Sequence, residues 1–244
     1  MTTFLIIIAS IVLTGAAAYL IVNYIPKKSH WMVSTALLIM AAFLAFKIYA
    51  EILKPINFNK EKKVRYAKVI KNLKLLRDAQ VAHKKVTGKY NSNGEHLIQF
   101  IDTAQYALTQ TRNVPKTIRL GGGITKEIEE RVVDTIGYED VRASFVGRDY
   151  QNMLQIPGTD EQFKIDIGEV EKIAGLRAAV FEIKVDKGLI LEDMDINLVK
   201  QEKEAIGGEE VRGEYLRVGS LSEVSEDGNW PPFYDKGDKK NNES

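Results

Sequence analysis

The residues whose types could do chemistry are three histidines, one glycine-rich loop, one acidic run and one aromatic cluster. His30, His83 and His96 stand apart, and none has a second ligand type at metal spacing, so surface roles rather than ligation are expected. HExxH and GxSxG are absent. There is no cysteine, which removes thiolate catalysis, disulfides and cysteine metal sites. In "LGGGITKE", Gly121, Gly122 and Gly123 run into a stretch that reads as helix, the geometry that presents backbone amides to an anion. Neither GxxxxGK[ST] nor GxGxxG is satisfied, so a flexible turn is the plain reading and an anion or ligand loop the sharper one. In "VTGKY", Tyr90 replaces the Ser or Thr that would hold magnesium. "LEDMDIN" offers Glu192, Asp193 and Asp195, but the stretch turns apolar at Leu198 and lacks the alternating oxygens of a calcium loop; a solvated helix start is expected. In "NWPPFY", Trp230, Phe233 and Tyr234 read either as a clasp closing on the core or as a partner contact. No polar constellation converges, and the expectation is a protein that is not an enzyme and has no metal or cofactor.

The elements that position these residues begin with two apolar runs. Residues 4–22, "FLIIIASIVLTGAAAYLIV", are uncharged and of a length that crosses a hydrocarbon core; 31–50, "WMVSTALLIMAAFLAFKIYA", are interrupted only by Lys47 near the end. The start "MTT" has no basic side chain, so a retained span is expected rather than a cleaved signal peptide. "NYIPKKSH" between the runs suits the turn of a hairpin, with Pro26 ending the first helix. Residues 1–50 thus read as a transmembrane hairpin and 51–234 as one domain. The tail 235–244, polar throughout, reads as disordered.

Within that domain, Tyr66, Val69, Ile70, Leu73, Leu76, Ala79, Ala82 and Val86 recur at steps of three and four, which predicts an amphipathic spine helix over about 60–87. Leu73, Leu76 and Val86 are expected in its core face, Pro55 is expected to break the chain before it, and Gly88 to end it. A short helix should follow, capped within Asn91 to Asn93 and burying Leu97 and Ile101. "TIRL", "RVVDTIGY", "NMLQIP", "QFKIDIG", "AAVFEIKV" and "EYLRVGSL" then read as strands. "ITKEIEERVV" and "MDINLVKQEKEAIGG" read as helical inserts, the second capped by Asp195. The class is α+β: two transmembrane helices, then a spine helix packed on a small antiparallel sheet.

Charge is unevenly placed although 34 basic residues nearly balance 33 acidic ones. Lys54, Lys60, Lys62, Lys63, Arg65, Lys68, Lys71, Lys74 and Arg77 follow the second run, with only Glu51 and Glu61 among them. Beside an anchor, the basic residues Lys60 to Lys74 are expected to meet lipid headgroups or an acidic protein surface; nucleic acid is not an expected partner.

"RDAQVAHKKVTGKYNSNGEHLIQFI", Arg77 to Ile101, resembles the region of type IV pilins and type II secretion pseudopilins in which an apolar span leads to an amphipathic helix, a glycine-aromatic turn and a short helix. The matching residues are Ala79, Gln80, Ala82, Gly88, Tyr90 and Leu97. The resemblance implies a spine helix covered by an antiparallel sheet and packed with neighbours in an assembly. The chain departs from the pilin pattern in its two apolar runs and in having no glutamate before Glu51, so standard pilin processing and polymerisation are not expected. "RYAKVIKNLK", "TGKY" and "GNWP" are also similar to membrane-anchored proteins of Bacteroidota, which implies no function.

The positive-inside rule sets nine basic residues after the second run against Lys27 and Lys28 in the hairpin and places the domain in the cytoplasm. The pilin resemblance places it outside, and this is the side adopted. The functional expectation is an envelope scaffold or assembly subunit at the inner membrane, whose partners are lipids, envelope proteins or further copies of itself. A membrane-anchored ligand-binding or sensory domain is the alternative.

Overall fold

The computed structural model describes residues 2–24, 26, 29–121, 124–172, 175–206, 208 and 210–235. They fall into two units, Met1–Asn57 and Phe58–Ser244. Lys27, Lys28, Gly122, Gly123 and the tail 236–244, on which expectations were placed, lie outside the described residues.

The first unit consists of helix α1, Thr2–Tyr24, and the first part of α2, His30–Thr87. Most of the described large apolar side chains of this unit, among them Leu13, Leu38 and Phe46, are uncovered by protein. Hydroxyls within them are internally satisfied: Thr14 donates to the Ser10 carbonyl at 2.7 Å and Thr35 to the Trp31 carbonyl at 2.8 Å. Among the described residues, α2 is the one helix long and apolar enough to cross a membrane; the described apolar stretch of α1, Ile8–Leu20, is shorter. Pro55 does not break α2. It forfeits one rung of the backbone ladder, a loss that a helix of 58 residues absorbs.

In the second unit, α2 buries Phe58, Tyr66, Val69, Ile70, Leu73, Leu75, Leu76, Ala79 and Ala82. Each large side chain among them contributes roughly 1.5–3 kcal/mol on leaving water. Val86 does not join this core; it is the last residue but one of the helix and is 41% exposed. The helix stops where Gly88 takes a φ of +80° and donates its N–H to the Lys84 carbonyl. Buried Gln80 then holds the returning chain, its amide donating to the Asn91 carbonyl at 2.5 Å and accepting from the Asn91 N–H at 3.0 Å. Asn93 caps α3, Gly94–Thr103, by accepting from the His96 N–H, and Leu97 and Ile101 enter the core.

Two separate antiparallel sheets follow. Strands β3 (Lys164–Glu171), β4 (Arg177–Asp186) and β5 (Tyr215–Gly219) make the core sheet in that order. The row Ile165, Ile183, Val218 and the pair Val185, Leu216 face inward with Phe181, in one cluster with the buried face of α2. Alternate positions Asp166, Glu182, Lys184 and Arg217 carry ion pairs on the other face. Helices α4, Lys187–Ile190, and α5, Ile196–Lys203, connect β4 to β5; Asp195 caps α5 through the Asn197 and Leu198 N–H groups.

Strands β1, Gln105–Gly121, and β2, Ile124–Asp140, form a two-stranded ribbon. "ITKEIEERVV" is therefore strand, not helix. Its Glu, Lys and Ile side chains favour a helix locally, but pairing residue for residue with β1 satisfies the backbone instead. "NMLQIP" is not a strand either: it forms turns with one bridge, Gln155 to Gln162, and buries Met153, Leu154 and Ile156.

Candidate functional site

Of the basic residues assigned to lipid headgroups, Lys60, Lys63, Lys68 and Lys71 are exposed and Arg65 is half-buried. Lys62 and Lys74 are corrections, because both are buried among partners distant in sequence. Lys62 Nζ donates to Glu202 Oε2 at 2.5 Å and approaches Glu210 at 3.4 Å. Lys74 Nζ donates to the Tyr234 carbonyl at 2.9 Å and pairs with Asp235 at 2.7 Å. Arg65 joins Glu61 and Asp193, which ties the acidic run "LEDMDIN" to the spine; the guanidinium holds the Asp193 carboxyl below its ordinary range.

Glu202 is the centre of a buried charged cluster. Besides Lys62 it accepts from Tyr66 Oη at 3.3 Å, and Lys187 Nζ lies 3.2 Å from its Oε1. Lys187 also donates to the backbone carbonyls of Glu202 (2.6 Å) and Val211 (2.7 Å). Burial pushes the Lys187 ammonium below its ordinary value, and burial next to Glu202 pushes the Tyr66 hydroxyl up. A buried lysine of lowered pKa is the raw material of amine catalysis. Here the ammonium is held by two backbone carbonyls and the Glu202 carboxylate and the side chain is closed to solvent, so the arrangement fastens α5 and the following loop to the spine.

The aromatic cluster closes over the same part of the spine. Trp230 is buried, a correction to its expected exposure as a partner contact, and its Nε1 donates to Asp235 Oδ1 at 3.1 Å. Tyr234 is half-buried and its ring packs on Phe233. Phe233 remains at the surface, with the Lys63 ammonium 5.4 Å from its ring centre. Lys74 grips this end through Tyr234 and Asp235, so the cluster acts as the clasp.

His83 serves the turn after α2: its Nδ1 donates to the Lys89 carbonyl at 2.6 Å and its ring packs on Phe100. No group of three His, Cys, Asp or Glu side chains suited to a metal occurs among the described residues. Gly121 ends β1, but Gly122 and Gly123 lie outside the described residues, so the expected anion loop has no described geometry.

The ribbon was not expected as a functional element. Its strands of 17 residues each extend roughly 50 Å at the usual rise. It is anchored where Tyr106 packs against the core and Val141 donates to the Ala104 carbonyl; beyond that base it is mostly exposed. Strand β1 holds Arg112, Lys116 and Arg119 and no acid, whereas β2 holds six acids against Lys126 and Arg131. Cross-strand pairs Arg112–Asp134 and Lys116–Glu130 use part of this charge. By register, Val114, Ile118, Ile128 and Val132 share a face with these pairs and with Tyr106. Alternating sequence could have revealed the strands, but their pairing across Gly121 was obscured by the helix-like composition of β2.

Comparison with known proteins finds no matching family model, no matching curated protein and no matching solved structure.

Proposed function

We propose that this chain is a non-enzymatic, membrane-anchored scaffold or assembly subunit of a bacterial envelope complex. Both apolar runs act as spans in the inner membrane, α1 as well as the start of α2, because their uncovered aliphatic and aromatic side chains suit lipid rather than water. The domain stands on the extracytoplasmic side. Its spine helix and small sheet are in keeping with the pilin-like layout, with the long helix serving as the mount for the parts that meet neighbours.

The observation that carries the reading is the β1–β2 ribbon. An isolated pair of strands is marginal in water, since three strands or a packed helix are needed for independent stability. Among the described residues this one leaves its two long outer edges unpaired, and its aliphatic row is only partly covered, with Val114, Ile118 and Val132 half-buried and Ile128 exposed. A neighbouring envelope protein or a second copy of the chain supplies the missing layer.

The test is photo-cross-linking in native membranes, with a photoreactive residue at Ile128 and, as control, at Lys164 on the charged face of the core sheet. Cross-linked species from Ile128 and none from Lys164 are expected. Uncross-linked monomer from both positions would refute the assembly role. Alkaline phosphatase and green fluorescent protein fused after Ser244 test the side: phosphatase activity with dark fluorescent protein is expected.

A further inference from the structure

A groove of about 580 Å³ lies beside the spine, and its charge is strongly one-sided. Lys71, Lys74, Arg77 and Arg148 line it against a single lining carboxylate, Asp78. Asp78 grips both guanidinium groups at once. Arg77 Nε donates to its Oδ1 at 3.1 Å, and an Arg148 terminal nitrogen donates to Oδ2 at 2.6 Å. Each arginine commits one of its N–H donors in this way, leaving the rest of a five-donor fork without a protein partner among the described residues. The Arg148 fork is steadied further by the Phe145 ring, 5.5 Å from the guanidinium carbon, and Gly147, at a φ of +76°, makes the turn that delivers it. Lys74 is committed to the Tyr234 carbonyl and to Asp235, while Lys71 is exposed.

We propose that this groove is a binding site for a phosphate ester, held by Arg77 and Arg148 with the exposed Lys71. One carboxylate cannot neutralise two arginines and a lysine, so the groove keeps a positive balance after its own pairing. Asp78 instead fixes two planar forks side by side, the preorganised geometry that matches phosphate oxygens bidentately. The volume exceeds that of a bare phosphate ion and lies in the range of small-molecule sites, so an organic ester fits. Its source is either a soluble metabolite or the headgroup of an anionic lipid. This inference is independent of the assembly role: the groove and the ribbon share no residue.

The experiment uses the full chain in nanodiscs of phosphatidylcholine, titrated with inorganic pyrophosphate and with glycerol phosphate by calorimetry. Saturable binding is expected, weakened about tenfold or more in Arg148→Gln and in Arg77→Gln, and unchanged in Lys60→Gln, an exposed cation of the same helix. Asp78→Asn separates a built site from loose attraction. The variant is one charge more positive, so unspecific binding would strengthen, whereas release of the two forks should weaken it. Denaturation of each variant establishes that the fold is retained. Repeating the titration in phosphatidylglycerol nanodiscs distinguishes the sources: competition assigns the site to a lipid headgroup, and unchanged binding assigns it to a soluble ester. Absence of binding in phosphatidylcholine with no arginine-dependent preference for phosphatidylglycerol discs, binding that survives both arginine variants, or strengthening in Asp78→Asn would each overturn the proposal.

Discussion

Lys187 Nζ sits 3.2 Å from Glu202 Oε1, with both side chains closed to water, although Lys62 already holds the other oxygen of that carboxylate. One buried anion thus answers two buried cations, and the partially exposed Glu210 supplies the remaining negative charge at 3.4 Å from Lys62. Removing the shared partner must cost more than removing either cation. Glu202→Gln leaves two ammonium groups facing each other out of water and is expected to destabilise the fold by about 3–5 kcal/mol. Lys62→Met leaves Glu202 paired with Lys187 and should cost about half as much or less. Guanidinium unfolding of the full chain in detergent, followed by the near-ultraviolet signal, measures both. Equal losses would mean that the carboxylate is not the hub.

Two glycines with nearly the same backbone angle should respond differently to a methyl group. Gly88 has φ +80° with nothing within 4 Å of an added Cβ, so Gly88→Ala meets only the left-handed penalty, about 1–2 kcal/mol. Gly219 has φ +76°, and its Cβ would collide with the Phe181 backbone carbonyl of the adjacent strand. Because backbone cannot swing aside as a flexible side chain can, Gly219→Ala should cost about 3 kcal/mol or more, the left-handed penalty plus displacement of β4 from β5. Denaturation midpoints that agree for the two variants would rule out the clash.

The clasp predicts a large contrast between adjacent aromatics. Trp230 is 8% exposed and fills the space beside Gly228, whereas Phe233 is 38% exposed. Trp230→Ala should lose about 3–5 kcal/mol and Phe233→Ala about 1 kcal/mol or less. If Phe233→Ala proves the more damaging, the cluster's weight lies at the surface and the partner-contact role for these aromatics returns.

What the sequence made legible depended on whether a residue's partners lay nearby along the chain. Gly88, Asn93 and Asp195 end or cap helices through bonds spanning a few positions, and each sits where local rules put it. Lys62 could not be told from its exposed neighbours Lys60 and Lys63, because the Glu202 that buries it lies 140 positions away. The first part of strand β2, "ITKEIEERVV", reads as helix for the same reason, since its local composition favours one state and its long-range pairing with β1 the other, whereas "RVVDTIGY" in its second part reads as the strand it forms. Arg148, across the groove from Arg77, stands in a turn with no motif around it; only the fold brings it to Asp78.

Alkaline pH provides the last test, because three packed tyrosines hold their protons more tightly than free ones. Burial pushes Tyr234 up to about 12. Burial and Glu202 raise Tyr66 further, and burial with the hydrogen bond to Glu226 raises Tyr90. Above about pH 10, the ordinary tyrosine value, the unfolded chain releases these protons while the folded chain keeps them. The folded state then binds more protons, so stability falls as pH rises, and the loss from Tyr234 continues to about pH 12. Lys187 acts with the opposite sign: its lowered pKa makes stability rise with pH up to the ordinary lysine value, about 10.4. Stability should therefore hold or climb slightly towards pH 10 and decline steeply beyond it. Tyr66→Phe with Tyr234→Phe should flatten the decline, because phenylalanine has no proton to lose. Unfolding free energies of both proteins from pH 8 to 12 measure the two slopes, and identical slopes above pH 10 would show that these hydroxyls do not govern alkaline unfolding.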